Sequence, residues 1–151
     1  MSDVSLRQRG FDLGLKGMNL AHRVVLGVSG GRLLSMAFGM QTIELHTTGR
    51  RSGQRRSVML TAPIYDGDRV VLVASKGGDD RDPDWYRNLV ADPAVAITIK
   101  GVESAWTART ATAAEKAELW PRIVAAYRGY AGYQKRTRRD IPVVICTPRS
   151  A

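Results

Sequence analysis

SVMLTAPIYDGDRVVLVAS, residues 57–75, sets two apolar runs on either side of Asp66, Gly67 and Asp68. An Asp-Gly pair between runs of strand length marks a tight hairpin, so 57–65 and 69–75 are expected to be antiparallel strands. Upstream, TIELHT (42–47) has a period of two with Ile43 and Leu45 on one face, which predicts a further strand and a three-stranded meander. The first connection of that meander is HTTGRRSGQRR (46–56), which carries Arg50, Arg51, Arg55 and Arg56.

Downstream, DPDWYRNLVADP (82–93) reads as a short helix, with Asp82 as N-cap and Pro83 at the first helical position. VAITIK (95–100), Gly101 and ESAWTART (103–110) predict a second hairpin. Thr112 and Glu115 form a capping box that opens a helix bearing Leu119, Trp120, Ile123 and Val124, which Pro121 should kink or restart. IPVVICT (141–147) is the last strand. Six strands with antiparallel connections and peripheral helices predict an α+β fold, in which a small antiparallel barrel removes the sheet edges. At the other end of the chain, 5–28 and 31–39 read as two helical pieces separated by Ser29–Gly31.

The 151 residues suit one domain, and 44% hydrophobic content is enough for a core. Against 14 acidic residues stand 23 Lys and Arg, a net charge of +9 that draws anions without saying which. A lone Cys146 excludes an internal disulfide and fits a reducing cytoplasm. The N-terminus has no secretory pattern, and its longest apolar run, Val24–Val28, is far short of a bilayer span of about 20 residues. The expected location is cytoplasmic.

Neither histidine, His22 or His46, has a carboxylate or cysteine at ligand spacing, so no metal site is expected. There is no nucleophile elbow and no Walker-type loop. A chain lacking its own nucleophile, acid–base dyad or metal either binds only or borrows a cofactor for the hard step. Three stretches could hold one. In the arginine loop, guanidinium forks and the backbone near Gly49 and Gly53 suit a phosphate or carboxylate, although a solvated basic turn would have the same composition. In ASKGG (74–78), Lys76 sits in a glycine-rich turn ahead of Trp85, Tyr86 and Asn88, a set suited to an anionic aromatic ligand, with core packing the alternative for Trp85. Tyr127, Tyr130 and Tyr133 recur every third residue as a pocket wall or a packing stripe.

In order, TTGRRSGQRR, VASKGG, PDWYRNLVADP, TARTATAAEKAELWP, YRGYAGYQKRT and IPVVICTP, from about Ile43 to Pro148, resemble the deazaflavin-dependent nitroreductase family. These are actinobacterial split β-barrel reductases that use reduced coenzyme F420. The resemblance implies a six-stranded antiparallel split β-barrel at 41–151 with a helical segment, 1–40, packed on it. It assigns Arg50, Arg51, Ser52 and Arg56 to the cofactor's phosphate and oligoglutamate tail, and runs the strand from Ser57 to Thr61 beside the cofactor, with Ser57, Val58 and Met59 as binding residues. Val73, Ala74, Ser75 and Lys76, with Asp84, Trp85, Tyr86, Arg87 and Asn88, would border the ring and its side chain. Tyr130 would meet both ring and substrate, with Tyr127, Tyr133 and Ser75 around the pocket as catalytic residues.

The implied reaction is hydride transfer from F420H2 to a quinone, nitroaromatic, activated enone or lactone. Alternatives are a non-catalytic F420 carrier of the same fold or an FMN-dependent reductase. The partner is a small-molecule acceptor, to a monomer or homodimer. Nucleic acid is not expected, because the aromatics do not interleave with basic residues on a strand face. The run Lys135–Arg139 reads as a solvated face, or as a contact for acidic lipid together with the N-terminal helix at the inner face of the cell membrane.

Overall fold

A computed structural model describes residues 40–150. The helical pieces expected at 5–28 and 31–39, and the membrane contact assigned to them, lie outside the described residues. No helix among the described residues is long and apolar enough to cross a membrane.

The described residues form a single antiparallel sheet with three α-helices. Its strands are β1 (Gln41–Thr48), β2 (Arg55–Ala62), β3 (Ile64–Tyr65), β4 (Val70–Val73), β5 (Ala94–Ile99), β6 (Val102–Thr110) and β7 (Val143–Pro148). The helices are α1 (Asp84–Ala91), α2 (Ala113–Ala126) and α3 (Gly129–Arg136). The α+β class is as expected, but the strands number seven, not six, in the order β2-β1-β5-β6-β7-β4-β3.

Pro63 accounts for the extra strand. The run 57–65 was expected to be one strand, but a proline has no N–H for the ladder and breaks it between Ala62 and Ile64. The expected meander is corrected with it. β2 pairs with β1 alone, while β3 turns back onto β4, which pairs with β7. Since β2 and β3 lie at opposite ends of the strand order but are joined by one residue, the sheet has to curl until its edges meet at Pro63.

The curl divides the core in two. On the inner face Ile43, Leu45, Leu72, Ile97 and Trp106 pack with Leu89 of α1, and Val58, Leu60, Trp85 and Tyr86 lean against them. On the outer face Val71, Val73, Val143 and Ile145 of β4 and β7 are covered by Leu119 and Ile123 of α2 and by Tyr130 of α3. Burying such side chains stabilises by roughly 1.5–3 kcal/mol each.

Local signals mostly operate as written. The Thr112 hydroxyl accepts from Glu115 N–H at 3.2 Å, and the Glu115 carboxylate accepts from Thr112 N–H at 2.9 Å. Lys100 and Gly101 both take positive φ, which closes the β5–β6 hairpin in two residues. Two expectations need correction. Pro121 does not restart α2, which runs through it from Ala113 to Ala126; a proline costs one intrahelical bond, and the buried Leu119 and Ile123 on either side hold the helix down. Asp82 is not the N-cap of α1. Pro83 takes that place with no side-chain cap, because the Asp82 carboxylate accepts from Arg139 Nη1 at 3.0 Å.

Candidate active site

The arginine loop is a tight turn between β1 and β2. Gly49 N–H donates to Gln54 O at 2.7 Å and Gly53 N–H to Gly49 O at 2.8 Å. A Cβ at Gly49 would stand 2.7 Å from Ser52 Oγ, which would have to rotate away, and 3.2 Å from Gln54 O, so a side chain here would crowd the turn.

The four arginines divide by partner. Arg50 turns inward: its N–H and Nη1 donate to Asn88 Oδ1 at 3.2 and 2.9 Å, and Nη2 reaches Asp84 Oδ1 at 3.4 Å. Asn88, only 4% exposed, donates onward to Thr47 Oγ1 at 3.2 Å. Arg55 pairs with Glu103 of β6, and their hydrogen bonding holds the Glu103 carboxyl below its ordinary range. Arg51 and Arg56 stay exposed at the tip beside Ser52, with Arg56 Nη2 3.5 Å from Ser52 Oγ. Arg51 forms no ion pair among the described residues.

The structure thus brings Arg51, Ser52 and Arg56 together as an exposed donor set, and gives Arg50 to α1. Asp84 and Asn88 stand beside the loop through that arginine. Trp85 packs edge-on to Tyr86 with ring centroids 6.4 Å apart, and Tyr86 OH lies 2.9 Å from Thr110 Oγ1. Arg87 is exposed on the same helix.

From the loop β2 leads to the tyrosines. Strand alternation puts Ser57, Met59 and Thr61 on one face and Val58 and Leu60 on the inner core face. Ser57 is exposed and Met59 buried. At the far end Thr61 Oγ1 lies 3.4 Å from Tyr130 OH, which also donates to Met40 Sδ at 3.8 Å. Tyr127, Tyr130 and Tyr133 form a triangle of edge-to-face rings, with centroids 5.3, 6.2 and 6.3 Å apart. Burial pushes the Tyr130 hydroxyl up from its ordinary pKa, and burial together with Tyr127 pushes Tyr133 up to about 12.

The turn after β4 closes on the same helix. Val73 and Ala74 are buried, and Ser75 is 8% exposed. Lys76, Gly77 and Gly78 follow with φ of 45, 62 and 86°. Three left-handed residues in succession need glycine at most positions, and Lys76 adopts the conformation without that freedom. A Cβ on Gly78 would meet Tyr133 O at 3.0 Å, so this backbone lies directly on α3.

Sequence reasoning placed Thr61 on the strand beside the cofactor but not against Tyr130, and it missed Met40 and His46. Nothing in the sequence marks Met40 as a partner of Tyr130. His46 is buried between Ser57 Oγ at 2.7 Å and Thr98 Oγ1 at 2.8 Å, partners that only the pairing of β1 with β2 and β5 reveals.

Comparison with known proteins follows the same geometry. Residues 21–148 match the profile of the F420H(2)-dependent quinone reductase family. An F420H(2)-dependent quinone reductase of Mycobacterium tuberculosis is 44% identical over 109 residues, which cover 70% of this chain and 72% of that protein. The solved structure of an F420-H2 dependent reductase (FDR-A) superposes with a TM-score of 0.63 at 39% identity, over 70% of this chain and 92% of the other. A chain described as a domain-swapped dimer gives the same TM-score of 0.63 and 39% identity, over 70% of this chain and 78% of its own. The chain belongs to the F420H(2)-dependent quinone reductase family and is an F420H2-dependent reductase.

Proposed function

We propose that the enzyme reduces electron-poor acceptors of the quinone class, and more broadly nitroaromatics, activated enones or lactones, in an elongated site that follows β2. One observation carries this reading: the arginine loop, with exposed Arg51 and Arg56, leads into β2, and the tyrosine triangle meets the far end of that strand at Thr61. Five residues from Arg56 to Thr61 span roughly 17 Å at the rise of an extended strand. That separation suits a ligand with an anionic tail at one end and a flat ring at the other.

The residues present fit F420. Arg51, Arg56 and Ser52 make a donor set for a phosphate or carboxylates, in a turn that a side chain at Gly49 would crowd. Tyr130, Tyr133 and the Ser75–Gly78 turn offer an apolar wall with hydroxyls for the ring end. When bound, F420H2 supplies the hydride.

The chain's own residues bind, orient and exclude water. Arg51 and Arg56 anchor the anionic end, so the ring end is held for an acceptor at high effective concentration. Tyr130 and Tyr133 keep their protons at neutral pH, as a phenol ordinarily does, and burial raises both pKa values further. Each hydroxyl can therefore donate a hydrogen bond to an acceptor oxygen that gains negative charge. The Tyr130 hydroxyl is already oriented by Thr61.

The curled sheet supports classing the fold as a split β-barrel of the flavin-reductase type, with the segment 1–40 packed on it and any acidic-lipid contact made there. Likeness to a domain-swapped dimer supports a homodimer. The test of function is to offer purified protein F420H2 with a menadione-type quinone and, separately, a nitroimidazole. Oxidation of F420H2, followed by the return of deazaflavin absorption, supports the reading. Binding without oxidation across acceptors would favour a carrier instead.

A further inference from the structure

The run Lys135–Arg139 was expected to face solvent or acidic lipid, and only part of it does. Lys135 and Arg138 are exposed, but Arg139 is turned inward with 16% of its side chain exposed. Its guanidinium meets four acceptors on one side of the molecule. Nε donates to Asp79 O at 2.8 Å, Nη1 to Asp82 Oδ1 at 3.0 Å, and Nη2 to Ala74 O at 3.1 Å and Ser75 O at 2.9 Å. Its neighbours bind the same segment: Thr137 Oγ1 donates to Asp80 Oδ1 at 2.7 Å, and Arg136 Nη1 lies 3.5 Å from Gly77 O.

These contacts bracket the Ser75–Gly78 turn on both sides. Ala74 and Ser75 enter it, and Asp79 and Asp82 leave it. Within the turn Gly78 N–H donates to Ser75 O at 2.9 Å and Asp79 N–H to Lys76 O at 3.2 Å, in a run of left-handed residues that includes one lysine. A planar fork with five donors can bridge the carbonyls of residues 74, 75 and 79 at once, which a single ammonium cannot do with the same geometry. Three residues before Arg136, the same helix carries Tyr133, whose carbonyl lies against Gly78.

We propose that Arg139 is a positioning residue that locks the Ser75–Gly78 turn to the tyrosine helix α3, and so sets the width of the ring end of the F420 site. It acts through Ser75 and the turn, without touching cofactor or acceptor. This rests on the reading of that turn as a wall of the F420 site.

The test compares Arg139→Ala, Arg139→Lys and Asp82→Asn with the parent enzyme, using quenching of F420 fluorescence for affinity and steady-state kcat and KM for F420H2. Each measurement is repeated with the deazaflavin ring lacking phosphate and glutamates, and is normalised to the folded fraction from a thermal melt. Arg139→Ala is expected to weaken binding and lower kcat about tenfold each, equally for tailed and tail-less cofactor, since small misplacements at a reacting centre are costly. Arg139→Lys does not restore either value, because charge without the fork does not rebuild the bridge. Asp82→Asn gives a smaller loss of the same kind.

Values within about twofold of the parent in folded Arg139→Ala, or full recovery in Arg139→Lys, would overturn the proposal. So would a loss confined to the tailed cofactor. Should Arg139→Ala not fold, Arg139→Lys and Asp82→Asn decide by the same criteria. If the parent itself neither binds nor oxidises the cofactor, the failure belongs to the underlying functional reading, and the proposal falls with it.

Discussion

The Tyr130 hydroxyl stands 3.4 Å from the Thr61 hydroxyl, and this contact joins α3 to the one strand that also begins at the arginine loop. It orients a buried hydroxyl group at the place where the acceptor is proposed to lie. Tyr130→Phe removes that hydroxyl and keeps the ring packing, so the fold should persist while kcat for quinone falls by about a hundredfold, the low end of the range for a proton-donating group. Steady-state kinetics checks it. A kcat unchanged in a well-folded variant would leave Tyr130 a packing residue.

Arg50 and Arg51 are neighbours in sequence with different duties. Arg50→Ala strips one donor, Nη1, from the buried Asn88 carboxamide oxygen and leaves the backbone N–H in place, so the cost falls toward the lower end of about 1–3 kcal/mol. Arg51→Ala touches an exposed side chain and should alter stability by no more than about 0.5 kcal/mol. Urea unfolding of the two variants should separate them in that order, whereas F420 affinity should separate them in the reverse order.

The tyrosines predict a pH dependence. Tyr133 ionises near 10.0 when unfolded and is pushed up to about 12 in the folded protein, by burial and then by Tyr127. The folded state favours the neutral phenol, so its share of stability is complete below the unfolded value and is lost as pH rises between 10.0 and about 12. The difference between ultraviolet titrations of the parent and Tyr133→Phe should show the Tyr133 phenolate absent below pH 10.0, with no Tyr133-dependent fall in kcat there. A step in kcat near neutral pH that vanishes in Tyr133→Phe would contradict this.

At the acid end the marker is Glu115. Hydrogen bonds from Arg109, then from Thr112 N–H, lower its carboxyl from 4.5 to about 2. Its contribution is present above the unfolded value and disappears as pH falls from 4.5 toward 2. The difference in thermal midpoint between the parent and Glu115→Gln should therefore be constant near neutrality and shrink toward zero across that window. A difference that survives at the acid end would rule out the ion-paired capping box as its source.

How far the fold could be read in advance depended on whether a signal was local. The capping box at Thr112 and Glu115, the alternation that buries Ile43 and Leu45, and the Asp-Gly turn are short-range devices and operate as written. Pro63 was also in view, but its effect is topological: it sends the chain from one sheet edge to the other, and apolar periodicity runs straight across it. The site divides similarly. Arginine density located the loop, yet which arginines face outward depends on Asn88 and Glu103, residues 38 and 48 positions from their partners. Arg139 was hidden most completely, because a basic run looks solvated until carbonyls more than 60 positions away are placed beneath it. The tyrosine spacing gave the triangle, while the contacts of Tyr130 with Thr61 and Met40 came only with the fold.

The most direct measurement is the affinity of F420 for the parent and for Arg51→Ala/Arg56→Ala, by fluorescence titration at fixed ionic strength. Two charge-assisted contacts to an anion, at about 1.5–3 kcal/mol each, predict at least a hundredfold weaker binding for the double variant, with its thermal midpoint retained. A double variant that binds F420 as tightly as the parent would contradict the anchoring of the cofactor's anionic end by the arginine loop.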